Sequence, residues 1–147
     1  MSQRLDQQIE FISEMDRLKT VLRQNKTPSA QRRENTAEHS WHLAIMGLVL
    51  EDQSPTQVDR AKVLSMLLLH DVVEIDAGDT FAYDQHGHED KARREQAAAD
   101  RLFGLLPTDQ EDELRAVWDE FEAGLSDEAK LARALDRLQP ILLNHRC

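Results

Sequence analysis

The sequence predicts an all-α protein, a single bundle of about six helices. Three observations carry that reading. Only five glycines and four prolines are spread over 147 residues, so few points break a helix. Aromatic residues make up 5% of the chain, which leaves little strand-favouring composition. Apolar residues also recur at spacings of three and four, the period of a helix with one buried face. A chain of this length suffices for one domain, burying about 68–70% of the surface it exposes unfolded.

The elements follow in order. Leu5, Ile9, Ile12, Met15, Leu18 and Leu22 mark one face of a first helix over about 4–23. A polar, arginine-rich connection containing Pro28 follows over 24–33. Asn35 then reads as an N-cap, and Glu38 three residues later completes a capping box. The second helix runs to about residue 50 and offers Trp41, Ala44, Ile45, Leu48 and Val49 for burial, and Ser54-Pro55 punctuates. The third begins near residue 58 with Ala61, Val63, Leu64, Met66, Leu67, Leu68 and Leu69, apolar nearly all round, and so belongs at the centre. It ends in His70-Asp71-Val72-Val73-Glu74-Ile75-Asp76-Ala77-Gly78-Asp79, where Gly78 reads as the stop. A loop is expected over 80–87. A fourth helix follows over about 89–106, with Ala92, Ala97, Ala98, Leu102, Phe103 and Leu106 inward and Pro107 closing it. Thr108 with Glu111 forms a second capping box, opening a fifth helix that ends near residue 123. Ser126 caps a sixth, with Leu131, Ala134, Leu135, Leu138 and Ile141 inward, and Pro140 is expected to kink or shorten it.

Charge narrows the function. The formal net charge is −10, which argues against coating a nucleic acid polymer, since that needs a basic stripe. A small phosphorylated substrate is compatible if a metal or a few arginines make the site locally positive. No apolar stretch is long enough to cross a bilayer, so no membrane role is expected. The polar N-terminus lacks a signal peptide's apolar run, and the single cysteine, Cys147, cannot form an intrachain disulfide. Both fit a cytoplasmic setting.

Several chemistries are absent from the motifs. There is no G-x-G-x-x-G, P-loop, H-E-x-x-H or G-x-S-x-G, and no glutamate is followed three residues later by a histidine. What stands out is His70-Asp71 at the end of a greasy helix, because an imidazole and a carboxylate are costly there if buried alone. Glu74 shares their helical face and Asp79 follows past the turn, a plausible divalent-metal site. The plainer reading of that segment is a solvated helix end. His39 and His42 sit three apart and either could be a ligand or a packed histidine; His86 and His88 read more simply as loop residues. Asp136, between Leu135 and Leu138, has an ion pair with Arg133 or Arg137 as its plainer alternative.

Together, His39, His70-Asp71 and a late Asp136 give the order H…HD…D, which resembles the HD-domain metal phosphohydrolases. The segments Arg33-Glu34-Asn35-Thr36-Ala37-Glu38-His39-Ser40, His70 to Asp79 and Ala134-Leu135-Asp136-Arg137-Leu138 resemble the 5′-deoxynucleotidase branch of that superfamily. The resemblance implies an HD domain over 1–147. It implies that His39, His70, Asp71 and Asp136 hold one divalent ion (Mn, Co, Fe, Zn or Mg), and that Glu74 orients or deprotonates the attacking water. Asp79 would assist, or join Glu74 around a second ion. Arg23, with Arg32 or Arg33, would meet the substrate phosphate. The implied reaction is hydrolysis of deoxyribonucleoside 5′-monophosphates to deoxynucleoside and phosphate, and a homodimer is also implied. The branch often carries an aromatic beside the arginine of the first helix, but here Gln24 and Asn25 follow Arg23, so both deoxyribose and ribose are admitted. The branch commonly continues beyond the last ligand, whereas this chain stops at Asn144-His145-Arg146-Cys147; the sixth helix is therefore expected to lean on a dimer partner. Two alternatives are a metal- or nucleotide-binding regulatory module with little turnover, and a hydrolase of cyclic nucleotides or alarmones.

Overall fold

The computed structural model describes residues 2–78 and 85–146, with side chains given from 90 to 145 in the second stretch. The helices are α1 (Gln3–Met15), α2 (Thr36–Leu50), α3 (Arg60–Leu69), the single-turn α4 (Glu74–Ala77), α5 (Gln85–Phe103), α6 (Thr108–Ala123) and α7 (Asp127–Arg146). A small antiparallel hairpin pairs β1 (Leu22–Lys26) with β2 (Arg33–Asn35), in a register that sets Leu22 against Asn35 and Lys26 against Arg33.

Several local signals act as expected. The Asn35 side chain accepts from the Glu38 backbone N–H at 2.9 Å, and Glu38 accepts from the Asn35 N–H at 3.0 Å, so α2 begins at a full capping box. Ser126 Oγ accepts from the Ala129 N–H at 3.1 Å at the start of α7. Gly78 is a helix stop at φ 75°, where a β-carbon would be strained, but the helix it ends is α4: the third helix, expected to run to Gly78, stops at Leu69, and a turn over 70–73 separates the two.

Other expectations are corrected. The first helix stops at Met15 and tightens into a 3-10 turn over Asp16–Thr20, because Val21 is extended and its carbonyl accepts from the Thr36 N–H at 2.9 Å. The polar connection contains the hairpin, held by backbone pairing that needs no apolar alternation. Thr108 is not a cap: extended Pro107 occupies that position, so Thr108 is already the first helical residue. Helix α5 starts at Gln85, ahead of the expected 89, and ends at Phe103, with Gly104 and the following turn carrying the chain to Pro107. Pro140 does not shorten α7, which continues to Arg146; buried Gln139 and Leu143 anchor the helix on both sides of the proline.

The inner faces also differ. Helix α2 turns Leu43, Met46 and Gly47 inward, on the same face as His39. That leaves Trp41 64% exposed and Val49 67% exposed, with Ile45 and Leu48 also outward. In α1 the buried residue is Phe11, stacked on Phe103 with ring centres 6.2 Å apart, while Leu5, Ile9 and Ile12 face outward. Ala92, Ala97, Ala134 and Ile141 are likewise exposed rather than inward.

The core has two clusters. One joins Phe11, Leu18, Val72, Val73, Leu102, Phe103 and Trp118. The other joins Leu43, Met46, Val63, Met66, Leu67, Phe121 and Leu135, with α3 packed against α2, α6 and α7 as the central helix. The chain passes from the second cluster to the first at His70-Asp71. That places the costly polar pair at a seam between two apolar masses, where both flanks are immobilised.

Candidate metal centre

Three elements deliver four side chains to the seam. His70 is the C-terminal cap of α3; its backbone N–H donates to Met66 O at 2.9 Å, and its own carbonyl accepts from the Trp118 indole at 3.1 Å. Asp71 follows in the turn, with buried Val72 and Val73 pinning the next two residues. His39 comes from the first half of α2 and is fully buried. Asp136 comes from the middle of α7. One ligand atom from each of the four lies within 4.8 Å of the others.

The proton positions follow from the partners. His70 Nδ1 stands 2.9 Å from Leu67 O, which can only accept, so Nδ1 carries the hydrogen. His70 Nε2 is then a buried atom with no aligned hydrogen-bond partner, 3.1 Å from Asp71 Oδ2 and 3.4 Å from Asp136 Oδ1. His39 Nε2 stands 2.8 Å from Asp136 Oδ1 and 3.7 Å from Asp71 Oδ2.

Electrostatics point the same way. Burial alone would push the His70 pKa down, yet the carboxylates of Asp71 and Asp136 hold it well above the ordinary histidine value. His39 is raised likewise: burial opposes its charge, and hydrogen bonds with Asp136 and Glu34 outweigh that. Burial would raise Asp136, but the hydrogen bond with His39 and the charge of nearby His70 hold it well below the usual carboxylate range. Asp71 is lowered in the same way, chiefly by His70 acting against burial. The two imidazoles and the two carboxylates thus favour one another's charged forms, and a divalent ion would offset the same two carboxylates, so the donor set fits a metal. Two nitrogens and two oxygens suit a borderline transition metal better than an all-oxygen cage would.

Around the cluster, Thr36 Oγ1 donates to Glu74 Oε2 at 2.9 Å, tethering α4's first residue to the start of α2. Arg23 on β1 reaches Asp71 Oδ2 at 3.6 Å through Nη1 and Glu34 Oε1 at 3.2 Å through Nε. Arg23, expected at the end of the first helix, thus reaches the cluster from a hairpin strand instead. Arg33 is engaged elsewhere: its Nε donates to Arg23 O at 2.7 Å and braces the hairpin. Arg32 pairs with Glu38. Asp79 lies outside the described residues, as do the side chains of His86 and His88. Asp136 is not paired with Arg133, which donates instead to the carbonyls of Phe121 and Glu122.

Three residues at the site were not singled out from sequence: Thr36, Glu34 and Gln139. Gln139 follows Asp136 by one helical turn, and that spacing was the available signal. A cavity of about 340 Å³ opens beside the cluster, lined by Glu74 on one side and Lys91, Glu95, Glu122 and Arg133 on the other. That volume is in the range of a small-molecule site.

Comparison with known proteins agrees with this geometry. The chain is 33% identical over 135 residues to a bovine protein named 5′-deoxynucleotidase HDDC2, covering 91% of this chain and 64% of that one. The human protein of the same name is 32% identical over 135 residues, covering 91% of this chain and 65% of that one. The chain therefore spans just under two thirds of these relatives' length. A crystal structure described as a predicted metal-dependent phosphohydrolase from Magnetospirillum magnetotacticum superposes with a TM-score of 0.91 at 52% identity, over 97% of this chain and 71% of that one. Residues 15–147 match the family model for the HD domain, and the chain belongs to that family.

Proposed function

We propose that this chain is a metal-dependent phosphomonoesterase. It hydrolyses deoxyribo- and ribonucleoside 5′-monophosphates to nucleoside and phosphate, with all 147 residues serving one HD domain. The observation that carries the reading is the His39–His70–Asp71–Asp136 cluster, its histidines buried and its carboxylates half-buried, with Glu74 and Arg23 beside it and a cavity at its edge. The names of the bovine and human relatives support the substrate class.

His39, His70, Asp71 and Asp136 would hold the ion, with Mn, Co, Fe, Zn and Mg as the candidates. Bound there, it supplies positive charge against the phosphoryl group and makes water more acidic. The residues of the chain do the rest. Glu74, held by Thr36, orients the attacking water and accepts its proton. Arg23 supplies charge to the phosphate, with Arg33 bracing its strand. The water oxygen bonds to phosphorus, the ester P–O bond breaks, and the leaving oxygen takes up a proton to become the nucleoside hydroxyl. Asp79 assists, or with Glu74 holds a second ion.

The test is phosphate release from a panel of nucleoside monophosphates by chelator-treated protein reloaded with Mn²⁺ or Co²⁺. Release by the wild type and its abolition by Asp71→Ala are expected; metal and nucleotide binding without release would defeat the reading.

The homodimer belongs to the same proposal. The outward Trp41, Ile45, Leu48 and Val49 of α2, and the exposed Ile141 and Leu142 of α7, are apolar surface that a second copy could cover. Sedimentation velocity should give twice the 16.9 kDa chain mass; a monomer at micromolar concentration would overturn it. Among the described residues no helix is long and apolar enough to cross a membrane. A cytoplasmic site of action is proposed on the single cysteine, as a reducing compartment needs no disulfide framework.

A further inference from the structure

Gln139 is fully buried on α7, one turn beyond Asp136, and it makes hydrogen bonds on both ends of its amide. Its Nε2 donates to Glu34 Oε2 at 2.7 Å and lies 3.2 Å from His42 Nδ1. Its Oε1 stands 3.1 Å from His39 Nδ1. An amide in such a place could in principle face either way. Here Glu34, which pairs with Arg23, sets the choice: its carboxylate oxygen accepts from the NH₂ group, so the carbonyl oxygen faces His39. Glu34 Oε1, at 3.5 Å, is a second acceptor near His39 Nδ1. Among the described residues the partners of His39 Nδ1 are therefore acceptors, and it carries the hydrogen. The ring's remaining atom, Nε2, is the one aimed at Asp136 and Asp71. The chain of contacts extends the other way as well, since Glu34 pairs with Arg23.

We propose that Gln139 is a positioning residue that holds His39 with Nδ1 protonated and Nε2 presented to the cation, and that Glu34 fixes the amide's orientation so that it can do so. His70 obtains the same result from a backbone carbonyl. His39 sits near the start of its helix, where the amide of Gln139 and the carboxylate of Glu34 supply the acceptors. The hydrogen-bonded partner of a ligating imidazole orients the ring and raises its basicity, and losing it typically costs 10- to 100-fold in metal affinity. Glu34 touches both Gln139 and Arg23, so one buried carboxylate keeps the metal histidine and the substrate arginine in register.

The inference rests on the cluster being a divalent-cation site, and the experiment separates the two. Apo protein is titrated with Mn²⁺ by calorimetry, and ¹H–¹⁵N imidazole spectra are taken of the Zn²⁺-loaded protein. Wild type that takes up no divalent ion defeats the metal reading itself. Wild type that binds zinc should show His39 with a hydrogen on Nδ1 and metal on Nε2; metal on Nδ1 overturns the positioning role with no variant needed. Gln139→Met, which keeps the volume, should weaken Mn²⁺ binding about 10- to 100-fold while leaving the His70 signals in place. Affinity unchanged in a folded Gln139→Met protein overturns the proposal. Reversing the polarity of the link with Gln139→Glu and Glu34→Gln together keeps an acceptor at His39 and a donor opposite it. That pair should recover most of the affinity lost in Gln139→Met, and failure to recover counts against the relay.

Discussion

At the scale of single residues, the site separates the groups that would hold a cation from the group that would act on water. Glu74 is tied to Thr36 and lines the cavity, while the four cluster atoms converge without it. Glu74→Gln should therefore leave metal content nearly intact and lower turnover by about 10²- to 10⁴-fold. Metal analysis beside steady-state kinetics checks this, and a parallel fall in metal content would make Glu74 a ligand instead. The cluster residues were legible in the sequence because their types are expensive to bury and stood in a recognisable order. Gln139 and Glu34 were not: a neutral amide has only its one-turn spacing from Asp136 to mark it, and Glu34 is one glutamate among twenty-eight acidic residues until the fold pairs the two. Arg33 shows the converse: an arginine beside the motif is read as a phosphate-binding group, yet its guanidinium braces Arg23's strand through backbone oxygens.

At the scale of elements, α2 and α3 form the frame of the site, and their closeness depends on Gly47. A β-carbon there would stand 2.9 Å from Leu67 Cδ1 and 3.4 Å from Leu64 Cδ2. Gly47→Leu should push the helices apart and cost about 1–3 kcal/mol, measured by urea unfolding. In Gly47→Ala the better helix propensity of alanine offsets part of the clash, so a much smaller change is expected. Helix α1 is the opposite case. Beyond buried Phe11 and partly buried Met15 it is held by polar contacts, the ion pairs of Arg4 with Asp109 and Glu14 with Arg101 and a hydrogen bond from Gln8 to Gln110. Arg101, then Arg17, lowers the Glu14 pKa from its ordinary 4.5, and Arg4 lowers that of Asp109 from 3.8. A depressed folded pKa stabilises above the ordinary value and loses that contribution as pH falls through the folded one. Hydrogen-exchange protection of α1 should thus fall before that of α3 as the pH drops below about 4, and added salt at neutral pH should weaken it in the same order. Equal protection of the two helices throughout would refute this. The helices themselves were legible because their apolar period is strong. The hairpin was hidden because Leu22-Arg23-Gln24-Asn25-Lys26 has no alternation to read. The inner face of α2 was misjudged because Trp41, Ile45 and Val49 are the more apolar stripe, while packing on α3 and α7 selected the stripe holding His39, Leu43 and Met46.

At the scale of the whole molecule, a net charge of −10 would face the proposed nucleotide substrate, itself a dianion near neutral pH. Part of that charge is local to the cluster, where Asp71 and Asp136 would be offset by a bound ion, but most is spread over outer helix faces such as the first turn of α6 with Asp109 and Glu111. At about 0.01 M salt the Debye length is about 30 Å, so the approaching nucleotide feels the whole protein; at about 0.15 M it is about 8 Å, and only the arginine and the metal-bearing site remain within range. The long-range term repels and the short-range term attracts, so raising the salt should remove the first before the second. With the metal held saturating, kcat/KM for a nucleoside monophosphate should rise between these two ionic strengths, through a faster association rate, while kcat changes little. An enzyme steered by a basic surface would show the reverse. A fall in kcat/KM over that range would mean that Arg23 and its neighbours dominate the field well beyond the cavity, and that the acidic balance of the chain plays no part in how substrate arrives.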